Sequence, residues 1–183
     1  MPIVFHETSI PGLFLISPHE ANDERGYLKK YFDKDVFIQK GLASEFCESA
    51  EIMSCKGTLR GLHYQKNPSQ ARLIQIISGK IFNVSLDLDP VSPTFGKYEC
   101  CRLSCGTAIY VPENFANGFL AMEDNTLIVC HFSKKFYAEG SSGILFNDAE
   151  LNIPWPLDAI STLIISEKDK MFKTFNQYKQ ELA

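Results

Sequence analysis

The sequence predicts an all-β chain, a sandwich or barrel of short strands. Three observations carry this reading. Short apolar runs recur roughly every 8 to 12 residues, Gly and Pro punctuate them, and the run Lys80 to Asp89 alternates with a period of two.

Gly12 to Ser17 is the first apolar run. Gly26 to Phe32 sets Tyr27, Lys29 and Tyr31 against Leu28, Lys30 and Phe32. A brief helix is expected at Lys34 to Gly41, with Val36, Phe37 and Leu42 turned inward. Glu51 to Tyr64 reads as a longer strand region broken by Gly57 and Gly61. Arg72 to Ile77 follows, then a turn at Ser78-Gly79. In Lys80 to Asp89, Phe82, Val84, Leu86 and Leu88 share one face. Asn83, Ser85 and Asp87 share the other, which meets solvent or walls a polar pocket. Lys97 to Leu103, Thr107 to Val111, Gly118 to Met122 and Thr126 to Phe132 complete the strands. The tail changes period: Met171, Phe175 and Tyr178 predict one amphipathic helix over Glu167 to Leu182. Ser166 is its expected N-cap, with Asp169 at the third position in capping-box fashion. No repeat, low-complexity stretch or linker divides the chain, so one domain over 1–183 is expected.

The 183 residues are 45% hydrophobic and 22% charged, enough for a sizeable core. A net charge of -4 gives no reason for a nucleic-acid partner; an anionic substrate needs locally placed Arg and Lys. The start MPIVFHETSI has neither the basic region nor the apolar run of a signal peptide. No apolar stretch reaches the ~20 residues of a membrane span, so a cytoplasmic location is expected. Cys47, Cys55, Cys100, Cys101, Cys105 and Cys130 make no CxxC pair and read as reduced thiols, mostly small core fillers. Cys100 and Cys101 would point to opposite faces of a strand.

The histidines are His6, His19, His63 and His131, without the clustered spacing of a zinc or iron site. No glycine-rich phosphate loop precedes a helix. The densest run of chemistry-bearing residues is Lys56-Gly57-Thr58-Leu59-Arg60-Gly61-Leu62-His63-Tyr64-Gln65. In a regular strand Arg60 and His63 face opposite ways; a bulge at Gly61 would bring both into one cavity. Read alone, His63 is a hydrogen-bonded strand histidine, and Arg60 and Arg72 are solvated surface charges.

With this segment the sequence resembles the dTDP-4-dehydrorhamnose 3,5-epimerase family, roughly from Ile10 to Lys170. The matching pieces include Asp23-Glu24-Arg25-Gly26-Tyr27, Leu59-Arg60-Gly61-Leu62-His63-Tyr64-Gln65 and Ser92-Pro93-Thr94-Phe95-Gly96-Lys97. Phe115-Ala116-Asn117-Gly118-Phe119, Ile153-Pro154-Trp155-Pro156 and Ser166-Glu167-Lys168-Asp169 continue the order. The resemblance implies a cupin jelly-roll sandwich with a few short helices and a C-terminal helix. It implies a homodimer with N-terminal strand exchange, no metal and no cofactor. The implied substrate is a nucleoside-diphosphate 4-keto-6-deoxyhexose. By this resemblance His63 is the base and Asp169 holds it. An imidazole takes a proton beside the C4 ketone, the carboxylate fixes its tautomer, and a cation meets the enolate oxygen. Arg60 and Arg72 are the implied cations, while Arg25 and Tyr27 are implied to reach the partner's nucleotide. Gln65 and Tyr137 join the implied substrate contacts.

The sequence departs from the family at four places. Six residues before the Tyr of Tyr137-Ala138 the family has a proton-donating Tyr; here stands His131, a candidate donor. Glu48-Ser49-Ala50 replaces a Gln-Asp-Asn stretch that contacts substrate, with Glu48 the remaining candidate. Asn117 replaces a His, and Arg72 replaces a Lys, keeping the cation but not its geometry. An epimerase with a shifted substrate, or one inverting a single centre, is therefore expected. A 3,4-ketoisomerase and a non-catalytic sugar-nucleotide binding protein are the other readings.

Overall fold

The computed structural model describes residues 2–182. One antiparallel sheet has the order β1 (Val4–Glu7), β2 (Phe14–Ser17), β10 (Ala108–Val111), β7 (Arg72–Ser78), β12 (Thr126–Phe132) and β5 (Glu48–Ser54). The second has the order β13 (Ser141–Gly143), β6 (Leu59–Gln65), β11 (Phe115–Ala121), β8 (Lys80–Asp87) and β9 (Tyr98–Ser104). A separate hairpin pairs β3 (His19–Asp23) with β4 (Gly26–Lys30). Helix α1 (Lys34–Gln39) falls where expected, capped by Asp33 and anchored by buried Phe37. This is the all-β sandwich that the strand pattern predicts, and its connections make it the jelly roll.

Apolar side chains fill the space between the sheets, among them Ile76, Ile81, Ile109, Val111, Phe115 and Ile128. A second apolar cluster covers the other face of the five-stranded sheet. There Phe82, Val84, Leu86 and Leu88 of the alternating run meet Trp155, Phe175 and Tyr178 from the C-terminal segment. With its apolar face roofed in this way, β8 turns Asn83, Ser85 and Asp87 inward, where all three are buried. Each is hydrogen-bonded: Asn83 to Ser85 at 3.1 Å, and Asp87 to Ser92 and Thr94 at 2.5 and 2.6 Å. The polar face therefore lines the interior, not solvent.

The expected single C-terminal helix is instead two short ones, α2 (Glu167–Lys170) and α3 (Phe175–Gln180). Tertiary contacts break it. Lys173 pairs as a bridge with Ile144, and its carbonyl accepts from the Leu145 amide at 2.9 Å. Phe172 packs edge-on against His63, with ring centroids 5.5 Å apart. Met171, expected on the buried face, is 79% exposed. Ser166 does cap α2, but the Asp169 carboxylate turns away to β6; the reciprocal capping box forms at Thr174 and Gln177.

The thiols are less buried than expected. Cys47, Cys55 and Cys105 are exposed, Cys100 is intermediate, and only Cys101 and Cys130 are buried. Exposed loop and strand-end positions account for the difference. Cys100 and Cys101 do pack into the clusters on opposite faces of their sheet.

Candidate active site

Strands β6 and β11 pair with a bulge. Asn117 opposes His63 and Phe119 opposes Arg60, so Gly118 alone faces the two residues Gly61 and Leu62. The extra residue reverses side-chain parity, and Arg60 and His63 come to line one cavity. Both glycines are needed for the close approach. Gly61 has φ +124°, and a Cβ there would lie 2.5 Å from the Gly118 Cα.

The cavity holds about 320 Å³ and lies between the sheets. From β6 and β11 come Arg60, His63, Gln65, Asn117 and Phe119; from the facing sheet come Ile52, Arg72, Ile74, Ile128, Cys130 and Phe132. His63 Nε2 lies 3.0 and 3.1 Å from the two carboxylate oxygens of Asp169. The Gly61 amide donates to the same carboxylate at 2.9 Å. The pair is asymmetric in exposure: the His63 side chain is 41% exposed, that of Asp169 6%. Burial pushes the Asp169 carboxyl up, but the hydrogen bonds from His63 and the Gly61 amide outweigh it and hold it below the usual range. An ionised acceptor fixes Nε2–H on the imidazole and leaves the lone pair on Nδ1.

Arg72 is not a surface charge. It is buried, its Nη1 donates to the His63 carbonyl at 3.1 Å, and among the described residues no carboxylate pairs with it. Its Nε is the one buried side-chain polar atom without a partner among the described residues. Burial pulls its pKa down, and the neighbouring Cys130 works against that. A guanidinium held this way is a site for an oxyanion. Arg60 is exposed, donating at 3.3 Å to Ser54 Oγ and to the Met53 carbonyl. The Asn117 amide donates to Asn83 Oδ1 (3.0 Å), the Val84 carbonyl (3.1 Å) and Ser85 Oγ (3.0 Å). Its nitrogen is thus held in the cavity floor, and its oxygen is the group left for a ligand.

Other expected residues have different places. His131 lies outside this cavity, because alternation along β12 sends Ile128, Cys130 and Phe132 inward and His131 outward. It lines a separate cleft with Phe32, Phe46 and Leu73, where burial lowers its pKa. A spacing of six counted from Tyr137 does not see strand parity. Gln65 lines the cavity, but its amide is occupied in scaffolding. It donates to the Pro68 and Lys135 carbonyls at 2.9 and 3.1 Å and accepts from the Tyr137 amide at 2.8 Å. Glu48 accepts from the Phe136 amide at 2.9 Å, and Gln70 donates to the Lys134 carbonyl at 2.8 Å. Together these three brace the segment 134–137, which brings Phe136 to the cavity; Tyr137 itself lines a neighbouring groove with Lys66 and Glu139. Arg25 and Tyr27 project from the β3–β4 hairpin, Tyr27 67% exposed and Arg25 paired with Asp23, and neither lines the cavity of its own chain.

Sequence reasoning missed Gln70, Cys130 and Phe132. The signal for the last two was the period of β12, which puts them in phase with Ile128. Among the described residues no group of three or more His, Cys, Asp and Glu is placed to hold a metal ion. No helix among them is long and apolar enough to cross a membrane.

The family model for dTDP-4-dehydrorhamnose 3,5-epimerase matches residues 7–177. A relative of that name from Methanothermobacter thermautotrophicus is 38% identical over 94% of this chain and 95% of its own. One from Shigella flexneri is 36% identical over 89% and 91%. Among solved structures, the Legionella pneumophila epimerase in complex with dTDP-4-keto-L-rhamnose superposes with a TM-score of 0.91 at 30% identity, covering 98% of this chain and 96% of that one. The sequence matches run nearly end to end, the family model spans the segment that carries His63, and the solved structure shares the fold: the chain belongs to the dTDP-4-dehydrorhamnose 3,5-epimerase family.

Proposed function

We propose that this chain is an isomerase that inverts C3, C5 or both in a nucleoside-diphosphate 4-keto-6-deoxyhexose, with dTDP as the first nucleotide to test. The observation that carries the reading is the His63–Asp169 pair, 3.0 Å apart, opening on a cavity with a buried guanidinium whose Nε has no partner among the described residues. Carbons 3 and 5 flank the ketone, so one carbonyl acidifies both hydrogens. His63 Nδ1 takes the proton, and Asp169 stabilises the imidazolium through Nε2–H. Arg72 faces the charge that develops on O4. Arg60, exposed at the cavity mouth, serves the diphosphate end. The Asn117 oxygen accepts from a sugar hydroxyl.

The active form in this reading is a homodimer with exchange of N-terminal strands. Support comes from the β3–β4 hairpin, which pairs only with itself and presents Tyr27, Leu28 and Arg25 outward. On this account Arg25 and Tyr27 bind the nucleotide in the neighbouring subunit. Six cysteines without a disulfide suit a reducing compartment, and the reading places the enzyme in the cytoplasm.

The test is incubation with dTDP-, CDP- and GDP-linked 4-keto-6-deoxy sugars in deuterated water, followed by NMR. Deuterium at C3 or C5 with the ketone still at C4 is expected, and His63→Ala should abolish it. A ketone moved to C3 would make the chain a ketoisomerase, and no uptake with any of the sugars would remove the enzymatic reading.

A further inference from the structure

Inversion needs more than a base. A proton lost from one face of the sugar ring must return to the other, so a proton-bearing group has to face the base across the bound ring. His63 stands on the β6 wall of the cavity. The opposite wall carries Ile52, Ile74, Ile128 and Phe132, which bear no transferable proton, and Arg72, whose guanidinium keeps its protons. The remaining side chain on that wall is Cys130.

Resting on the epimerase reading above, we propose that the Cys130 thiol is the catalytic acid that reprotonates the enolate on the face opposite His63. Two features beyond its position support the assignment. Arg72 is buried beside it with Nε unpartnered, so a cation is in place for both the enolate oxygen and the thiolate that forms when the proton leaves. Burial pushes the thiol up to about 12, with Arg72 pulling the other way, so Cys130 enters the cycle protonated.

In the step itself the S–H bond breaks and a C–H bond forms at the enolate carbon. The electron pair of the enolate double bond makes the new C–H bond, and the C4 carbonyl is restored. Cys130 is left as thiolate and His63 as imidazolium. The imidazolium gives its proton to water and the thiolate takes one from water, which returns both groups to their starting states.

The test separates exchange from inversion. In Cys130→Ala, His63 still removes the proton, exchanges it with deuterated solvent and returns deuterium to the same face. Recovered substrate should therefore gain deuterium within about threefold of the wild-type rate, while inverted product falls about 10²-fold. Cys130→Val, closer in volume, should behave alike, and retained exchange shows that the site is folded. Inversion at the wild-type rate in either variant would overturn the proposal. So would equal loss of exchange and inversion in a variant that melts normally, since that pattern belongs to a packing residue. Wild type without any exchange is a different failure, that of the epimerase reading itself.

Discussion

Asp169→Asn isolates the charge of the carboxylate from its shape. Asp169 accepts from two donors, His63 Nε2–H at 3.0 Å and the Gly61 amide at 2.9 Å. An asparagine offers one acceptor oxygen, so one of these donors must lose its partner or face an NH2 group. At an effective dielectric near 20, charges about 4 Å apart attract by about 4 kcal/mol. His63 is 41% exposed, so solvent screening reduces this to about 2–3 kcal/mol for an imidazolium formed in the transition state. The corresponding loss is about 30- to 150-fold in kcat. KM should hold, because the interaction at stake is made with the imidazolium that forms as the proton is taken, not with the bound substrate. The orphaned donor costs about 1–3 kcal/mol of stability, a fall of roughly 2–12 °C in Tm for a chain of this size. Steady-state NMR turnover and a thermal melt read the two effects separately. A kcat within about threefold of wild type would refute the argument that the carboxylate charge works through His63.

Arg72→Met should lower kcat/KM about 10²-fold or more, while Tm stays within a few degrees or rises, because an unpaired buried charge is removed; a melt lowered by more than about 8 °C would show that the guanidinium stabilises the fold. Gly61→Ala should cost about 3 kcal/mol or more in denaturant unfolding, since its Cβ would meet backbone at 2.5 Å and φ is +124°; a change under about 1 kcal/mol would mean the bulge relaxes freely. Asn117→Leu should cost about 1–3 kcal/mol by stripping partners from Asn83 and Ser85, and an unchanged melt would count against that network. The Asp169 carboxyl is held below its unfolded value, so its stabilisation is full above the ordinary carboxylate range near pH 4 and is lost as pH falls through the folded value. The Tm gap between wild type and Asp169→Asn should therefore shrink on acidification; a constant gap would contradict the shift.

Part of the site was legible because its cause is local. The bulge at Gly61 could be anticipated from a glycine between two residues of opposite parity, and it does bring Arg60 and His63 together. Read alone, Arg72 is a surface charge, because a single arginine in an apolar strand says nothing about what roofs it; only the family resemblance makes it a candidate cation of the site. His131 was placed by counting from Tyr137, which carries no information on which way a side chain points. Gln65 and Glu48, expected at the substrate, also hold backbone of the 134–137 segment, through pairings between residues 70 and 88 positions apart that no local pattern announces.

The sequence by itself determined the sandwich class, the family and most of the strands, since alternation, turn residues and ordered motifs are properties of neighbouring positions; the short strands Val4–Glu7, His19–Asp23 and Ser141–Gly143 have no such signal and form only through their pairing partners. Tertiary structure decided the rest. It chose which face of β8 points inward, because the roof of Trp155, Phe175 and Tyr178 arrives from the far end of the chain. It broke the last helix, because holding Phe172 against His63 and Asp169 under Gly61 outweighs continuing the turn. And it set Cys130 across from His63, a juxtaposition of two sheets that no one-dimensional spacing encodes.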